Sequence, residues 1–303
     1  MNAALIESLR KKTLVIYSAG CGNGKSEIAA SLALSTARKG LRTWILDANT
    51  FTPAQDFIFG FPHRNPTFSD FLVDPSIAEM PVYPLRMARQ NPHPASLFLT
   101  PSERNDPAIR FTLQETLNSE SDIYSRIPEA VYAAMVRHKI DLLLIDTHPG
   151  FEKINEVWMG MTGFLLVTSR INPVDLESLT SLLQDPSVQD IRQKLVVFTN
   201  VQIDRSRKVS PDMENDAIIG QVKTLQKKLE QEPKGKNGTA PLAFRTGNTI
   251  IHEDAFLYSE KLALFQQAAM RQEMFIDKEP EDCFSENIRT LADKVMDIIS
   301  GMQ

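Results

Sequence analysis

Seven short runs dominated by Val, Ile, Leu and Phe recur along the chain: TLVIYS (13–18), RTWILDA (42–48), SLFLTPS (96–102), DLLLIDT (141–147), GFLLVTSR (163–170), KLVVFTN (194–200) and APLAFR (240–245). Their apolar character is continuous rather than alternating, which is what strands covered on both faces require. Helical patterns lie between them at 25–39, 123–138, 174–184 and 213–230, with another at 285–300. Strand and helix in alternation predict βαβ crossovers, and hence an α/β fold with a doubly wound, mostly parallel sheet and helices on both faces. With 303 residues, 42% of them hydrophobic, the chain reads as one domain over 1–303. The stretches 51–95 and 203–239 are too poorly patterned for cores of their own and read as insertions or loops within it.

Ligands of such sheets bind beyond the carboxyl ends of the strands, so the segments that follow the runs are where chemistry is expected. The first of them is AGCGNGKS (19–26), between a strand and a helix. It matches the phosphate-binding loop, Gly followed by four residues and Gly-Lys-Ser/Thr, except that Ala19 stands at the first Gly. Gly20, Cys21, Gly22, Asn23 and Gly24 would turn backbone N–H groups toward phosphate oxygens, and the following helix begins with Lys25, Ser26 and Glu27. Lys25 would reach the β- and γ-phosphates of a nucleotide, and the Ser26 hydroxyl would ligate Mg²⁺. A carboxylate at a neighbouring strand end completes such a site. Asp146 in LLLIDTHPG is the first candidate and Asp47 in WILDANT the second.

In this order the residues resemble the MinD/ParA family of deviant P-loop ATPases. The resemblance runs over nearly the whole chain: the loop, LDAN, IDTHPG as a second switch, VTSRINPVDLESL, FTNVQ, and NTIIHEDAFL as the late segment that closes around the nucleotide. It implies ATP and Mg²⁺ as cofactors, an ATP-dependent homodimer, slow hydrolysis, a protein adaptor or activator as partner, and the positioning or partitioning of a cellular cargo. It also implies that Asn200 hydrogen-bonds the adenine. Two departures bear on mechanism. The family's loop carries a lysine that reaches the partner's phosphates, and here that position is Gly20. The second acidic residue of the first switch is here Asn49, which can hold water but cannot accept its proton. Lys153, on the segment resembling the second switch, is the candidate to supply the missing charge, with Arg170 as its rival. Carboxysome-positioning ParA-like proteins are the relatives to compare on this point. A hydrolysis-poor scaffold that localises a pilus, flagellar or compartment assembly is the alternative reading, and a metabolic ATPase ranks behind both.

The remaining features exclude more than they add. A net charge of −5 leaves only local basic patches for nucleic acid. Arg205, Arg207, Lys208, Lys223, Lys227 and Lys228 form one, but Asp212, Glu214, Asp216 and Glu230 balance it, and a solvated helix face is the preferred reading over non-specific DNA binding. The two cysteines, Cys21 and Cys283, are too few for a disulfide framework or a zinc site and suit a cytoplasmic protein. A cluster shared across a dimer is excluded because Cys21 lies in the phosphate loop and Cys283 is remote in sequence from any switch. His148 reads as a packing residue. The stripe Ile288, Leu291, Val295, Ile298 and Ile299 lacks the cations and aromatics of a membrane-bound helix and is expected to pack on the domain. No run approaches the ~18 apolar residues that a spanning helix needs.

Overall fold

A computed structural model describes residues 3–18, 20–62, 64–85, 96–103, 106–118, 122–150, 153–170, 172–199, 249–251, 262 and 274–302. In chain order their elements are α1 (Ala3–Arg10), β1 (Thr13–Tyr17), α2 (Lys25–Arg38), β2 (Thr43–Ala48), α3 (Gln55–Ile58), α4 (Phe68–Val73), β3 (Tyr83–Pro84), β4 (Leu97–Thr100), α5 (Pro107–Asn118), α6 (Ile123–His138) and β5 (Leu142–Thr147). There follow α7 (Lys153–Met161), β6 (Phe164–Ser169), α8 (Pro173–Gln184), α9 (Pro186–Gln189), β7 (Gln193–Phe198), β8 (Thr249–Ile251), α10 (Phe275–Lys278) and α11 (Cys283–Met302). The strands form a single sheet in the order β3-β4-β2-β5-β1-β6-β7-β8. Every pairing is parallel except that of the short edge strand β3 with β4. This is the doubly wound sheet that the apolar runs predict.

Neighbouring residues along each strand enter opposite layers. Val15, Tyr17, Trp44, Leu46, Leu143, Ile145, Leu165 and Val167 pack beneath α1, α4, α6, α7 and α8 with Leu9, Phe68, Phe71, Ile127, Trp158 and Leu179. Leu14, Ile16, Ile45, Leu142, Leu144, Phe164 and Leu166 face the other way, against Ile28, Leu32 and Ala33 of α2 and the helices at the end of the chain. Both faces are dry, so a strand residue of either parity must be apolar, and the runs show no alternation.

The long helices lie where their periodicity places them, and several shorter ones were not anticipated. α1 has only two turns, α3 and α9 one each. α5 buries Leu113 while exposing Phe111, too narrow a stripe to stand out. α4 opens with a reciprocal cap in which Thr67 and Asp70 satisfy each other's backbone N–H groups. The strand expected at 240–245, the helix expected at 213–230 with its basic patch, and most of NTIIHEDAFL lie outside the described residues. Thr249–Ile251 of that last segment forms β8.

In α11, Phe284, Ile288, Leu291, Val295 and Ile299 are buried in the layer that α2 also fills, so the terminal stripe packs on the domain. Among the described residues no helix is long and apolar enough to cross a membrane. Leu291 is fully buried there, and Leu291→Ala is expected to cost about 2–5 kcal/mol of folding stability by equilibrium urea denaturation, the range for a leucine emptied from a close-packed core.

Candidate functional site

The loop after β1 is shaped for an anion. Ser18 Oγ donates to the Gly20 carbonyl at 2.6 Å, starting the turn. Gly22 and Gly24 both hold φ near 71°, the left-handed region where a side chain is strained. Gly22 is crowded as well, since a Cβ there would lie 2.6 Å from Arg170 Nη2. Gly24 precedes α2 without any side-chain cap, so the N–H groups of the helix's first turn are left for a ligand. Within the loop and first turn, Asn23, Lys25 and Glu27 are buried, Ser26 is half-buried and Cys21 is exposed. Thr199, at the end of β7, donates its hydroxyl to the Asn23 carbonyl at 3.0 Å and fastens the loop to the sheet.

Beside the loop stand two carboxylates. Asp47 and Asp146 are register partners at the carboxyl ends of β2 and β5, and both are wholly buried. Asp47 is richly bonded: Oδ1 accepts from the Asn49 N–H at 3.2 Å, and Oδ2 accepts from the N–H groups of Ala54 and Gln55 at 2.9 Å each. Burial first, and then the charge of Asp146, nevertheless hold its carboxyl well above the ordinary range, against the opposing pull of those backbone donors. Asp146 is sparsely bonded. Its Oδ2 accepts from Gln55 Nε2 at 2.7 Å, whereas Oδ1 is buried with no hydrogen-bond partner.

An orphaned carboxylate oxygen next to a second carboxylate is costly unless a cation joins it. The oxygen-only donor set, with the Ser26 hydroxyl at the start of α2, fits Mg²⁺, which takes few protein ligands and keeps waters and phosphate oxygens for the rest. Among the described residues no group of three or more His, Cys, Asp or Glu side chains is suited to a metal.

Asn49 lies at the same strand end, but its side-chain oxygen is taken up locally, accepting from Thr52 N–H at 3.3 Å and Thr52 Oγ1 at 3.1 Å. The segment after Asp146 is tied to β1. Thr147 Oγ1 donates to the Ile16 carbonyl, the Gly150 N–H to the Ser18 carbonyl, and Asn155 Nδ2 to the carbonyls of His148 and Gly150. His148 meets the ring of Phe51 edge-on at 5.0 Å, a packing contact.

Of the two basic candidates, Arg170 is the one beside the loop: its Nη2 donates to the Cys21 carbonyl at 2.8 Å, and Asp175 pairs with its Nε at 3.9 Å. Asp175 also crowds the loop from outside, 3.1 Å from where a Cβ on Gly20 would lie. Lys153 is exposed at the first position of α7, with its ammonium 5.0 Å from the centre of the Tyr124 ring on α6. Asn200 lies outside the described residues. Gln55 and Asn155 escaped the sequence reading because each acts through a side-chain amide whose partners are remote or unpatterned.

Asp47 sets a testable pH dependence. Its folded-state affinity for a proton exceeds that of the unfolded chain, so the native state binds more protons in the window between the two, and stability falls as pH rises through it. Ligand-free protein is therefore expected to lose urea resistance from the ordinary carboxylate range toward neutral pH. Asp47→Asn is expected to flatten that slope.

No protein-family model matches the chain. Over 50 residues it is 48% identical to an iron–sulfur cluster carrier protein of Pseudomonas fragi, a stretch of 16% of this chain and only 17% of that protein's length. Solved structures are similar over nearly the full length. The cell division ATPase MinD of Pyrococcus furiosus is 12% identical with a TM-score of 0.61, the match covering 95% of this chain and 99% of that one. An ATP complex of McdA from Cyanothece is 18% identical with a TM-score of 0.61, covering 94% and 96%. The septum site-determining protein MinD of Pyrococcus horikoshii, solved with Mg-ADP, is 14% identical with a TM-score of 0.59, covering 96% and 98%. Identities this low speak to architecture, and the architecture is clear: the chain has the fold of the MinD and ParA ATPases.

Proposed function

We propose that this chain is an ATP-dependent dimerising switch that positions or partitions a cellular cargo, such as a plasmid, chromosome, organelle or division machinery, through a protein adaptor or activator. The observation that carries the reading is the uncapped glycine loop lying against two buried carboxylates, one of which keeps an oxygen without a partner. The Mg-ADP and ATP complexes of proteins with this fold support the same ligands here. The loop amides and Lys25 would hold the phosphates, Ser26 and Asp146 would hold Mg²⁺, and Asn200 would meet the base. Bound there, the ion would offset phosphate charge. Asp47 orients α3 and the turn at Asn49, and that turn would face the terminal phosphate. Cluster carriage is not part of this reading, since Cys21 lies in the phosphate loop and Cys283 is remote in sequence from either switch.

In a face-to-face dimer the two triphosphates repel each other, and a cation near the loop offsets that repulsion. Arg170 is the cation that the loop itself holds close, and Lys153 would have to come from the partner's α7. The second reading, a scaffold that binds nucleotide and hydrolyses it poorly, draws support from Asn49, an amide already engaged by Thr52 where a carboxylate could take a proton from water. Phosphate release with and without a partner protein separates the two readings.

Mass by light scattering in Mg²⁺ tests the switch. A dimer is expected with ATP and a monomer with ADP, and Arg170→Ala is expected to raise the concentration at which the ATP dimer forms by about tenfold, as for a partly buried charge pair. If Lys153→Ala does this and Arg170→Ala does not, the cation comes from α7. A monomer with both nucleotides, despite bound ATP, would sink the switch and favour the scaffold.

A further inference from the structure

Gln55 is wholly buried at the start of the four-residue helix α3, where an apolar side chain would cost less unless polar neighbours required an amide. Its Nε2 donates to the Ser26 carbonyl at 3.0 Å and to Asp146 Oδ2 at 2.7 Å. A backbone carbonyl can only accept, so the amide must present its nitrogen on this side and its oxygen on the other. That oxygen, Oε1, is buried with no hydrogen-bond partner. The Gln55 backbone N–H donates to Asp47 Oδ2. A single residue therefore contacts the loop helix and both carboxylates, and two oxygens of this group are left without a partner: Gln55 Oε1 and Asp146 Oδ1.

We propose that Gln55 is the positioning residue of the cation site. By holding Asp146 through Oδ2 it leaves Oδ1 as the oxygen available to Mg²⁺, and its Oε1 serves as acceptor for a water of the ion's shell. Mg²⁺ requires near-octahedral geometry and keeps several waters, so a carboxylate with one oxygen fixed and an acceptor for a bound water suit it. Side chains that orient metal ligands typically govern affinity by about 10- to 100-fold. The inference rests on the MgATP reading above.

The test is calorimetric ATP binding to the full chain in EDTA and at stepped free Mg²⁺, for wild type, Gln55→Met and Gln55→Asn, each also in an Asp146→Asn background. Met keeps the length without the amide, and Asn keeps the amide one methylene short, so Asn decides the matter should Met not fold. The expected result is ATP affinity in EDTA like wild type, with the Mg²⁺ midpoint raised about tenfold or more and no further rise once Asp146 is Asn. A midpoint within about twofold of wild type, an equal loss in EDTA, or an undiminished effect in the Asp146→Asn background overturns the inference alone. Wild-type protein that binds no ATP under any of these conditions overturns the nucleotide reading and the inference with it.

Discussion

Two buried carboxylates held side by side at the carboxyl ends of neighbouring parallel strands are the constraint around which this molecule is arranged. Asp47 and Asp146 face the same repulsion and the same loss of water, but the chain treats them differently. Asp47 receives three backbone N–H groups, two of them from the start of α3, and so acts as a structural clasp that shapes the turn at 49–55. Asp146 receives one side-chain donor and keeps one oxygen without a partner. The asymmetry leaves one carboxylate saturated with donors and the other with an oxygen that has no partner.

The topology puts that pair where a ligand can use it. β1 lies between β5 and β6, and β2 lies beyond β5, so the ends of β1, β2 and β5 are adjacent although they are far apart in sequence. The chain leaves β1 through the glycine loop into α2 toward β2 and later adds β6 and β7 on the other side of β1, which makes this crevice a switch point of the winding. From that second side Arg170 and Thr199 hold the back of the loop. The loop's shape therefore depends on strands from both halves of the sheet, while the first turn of α2 has no side-chain cap.

What was legible in the sequence follows from what leaves a pattern. Strands buried on both faces must be apolar throughout, so β1, β2, β4, β5, β6 and β7 were visible as runs, and long helices such as α6 were visible through their period. The glycine loop and its two carboxylates were visible because backbone geometry and strand ends admit few residue types there. Gln55 was not: its partners lie 29 and 91 residues away, and no periodicity records a side-chain hydrogen bond. Asn49 was legible only in part, for its identity departs from the acidic residue that the resemblance implies there, whereas its bond to Thr52 depends on the fold of the turn. The one-turn helices were hidden because a single turn has no stripe.

The central claim is that the orphaned oxygen of Asp146 is the protein's contribution to a cation held with nucleotide. Its most direct test is the ratio of ATP affinity in Mg²⁺ to that in EDTA, compared between wild type and Asp146→Asn. The account predicts that Mg²⁺ strengthens binding in wild type and that the substitution removes most of this gain while leaving binding in EDTA intact. An equal gain in both proteins would mean that the cation is held without Asp146, and would contradict it.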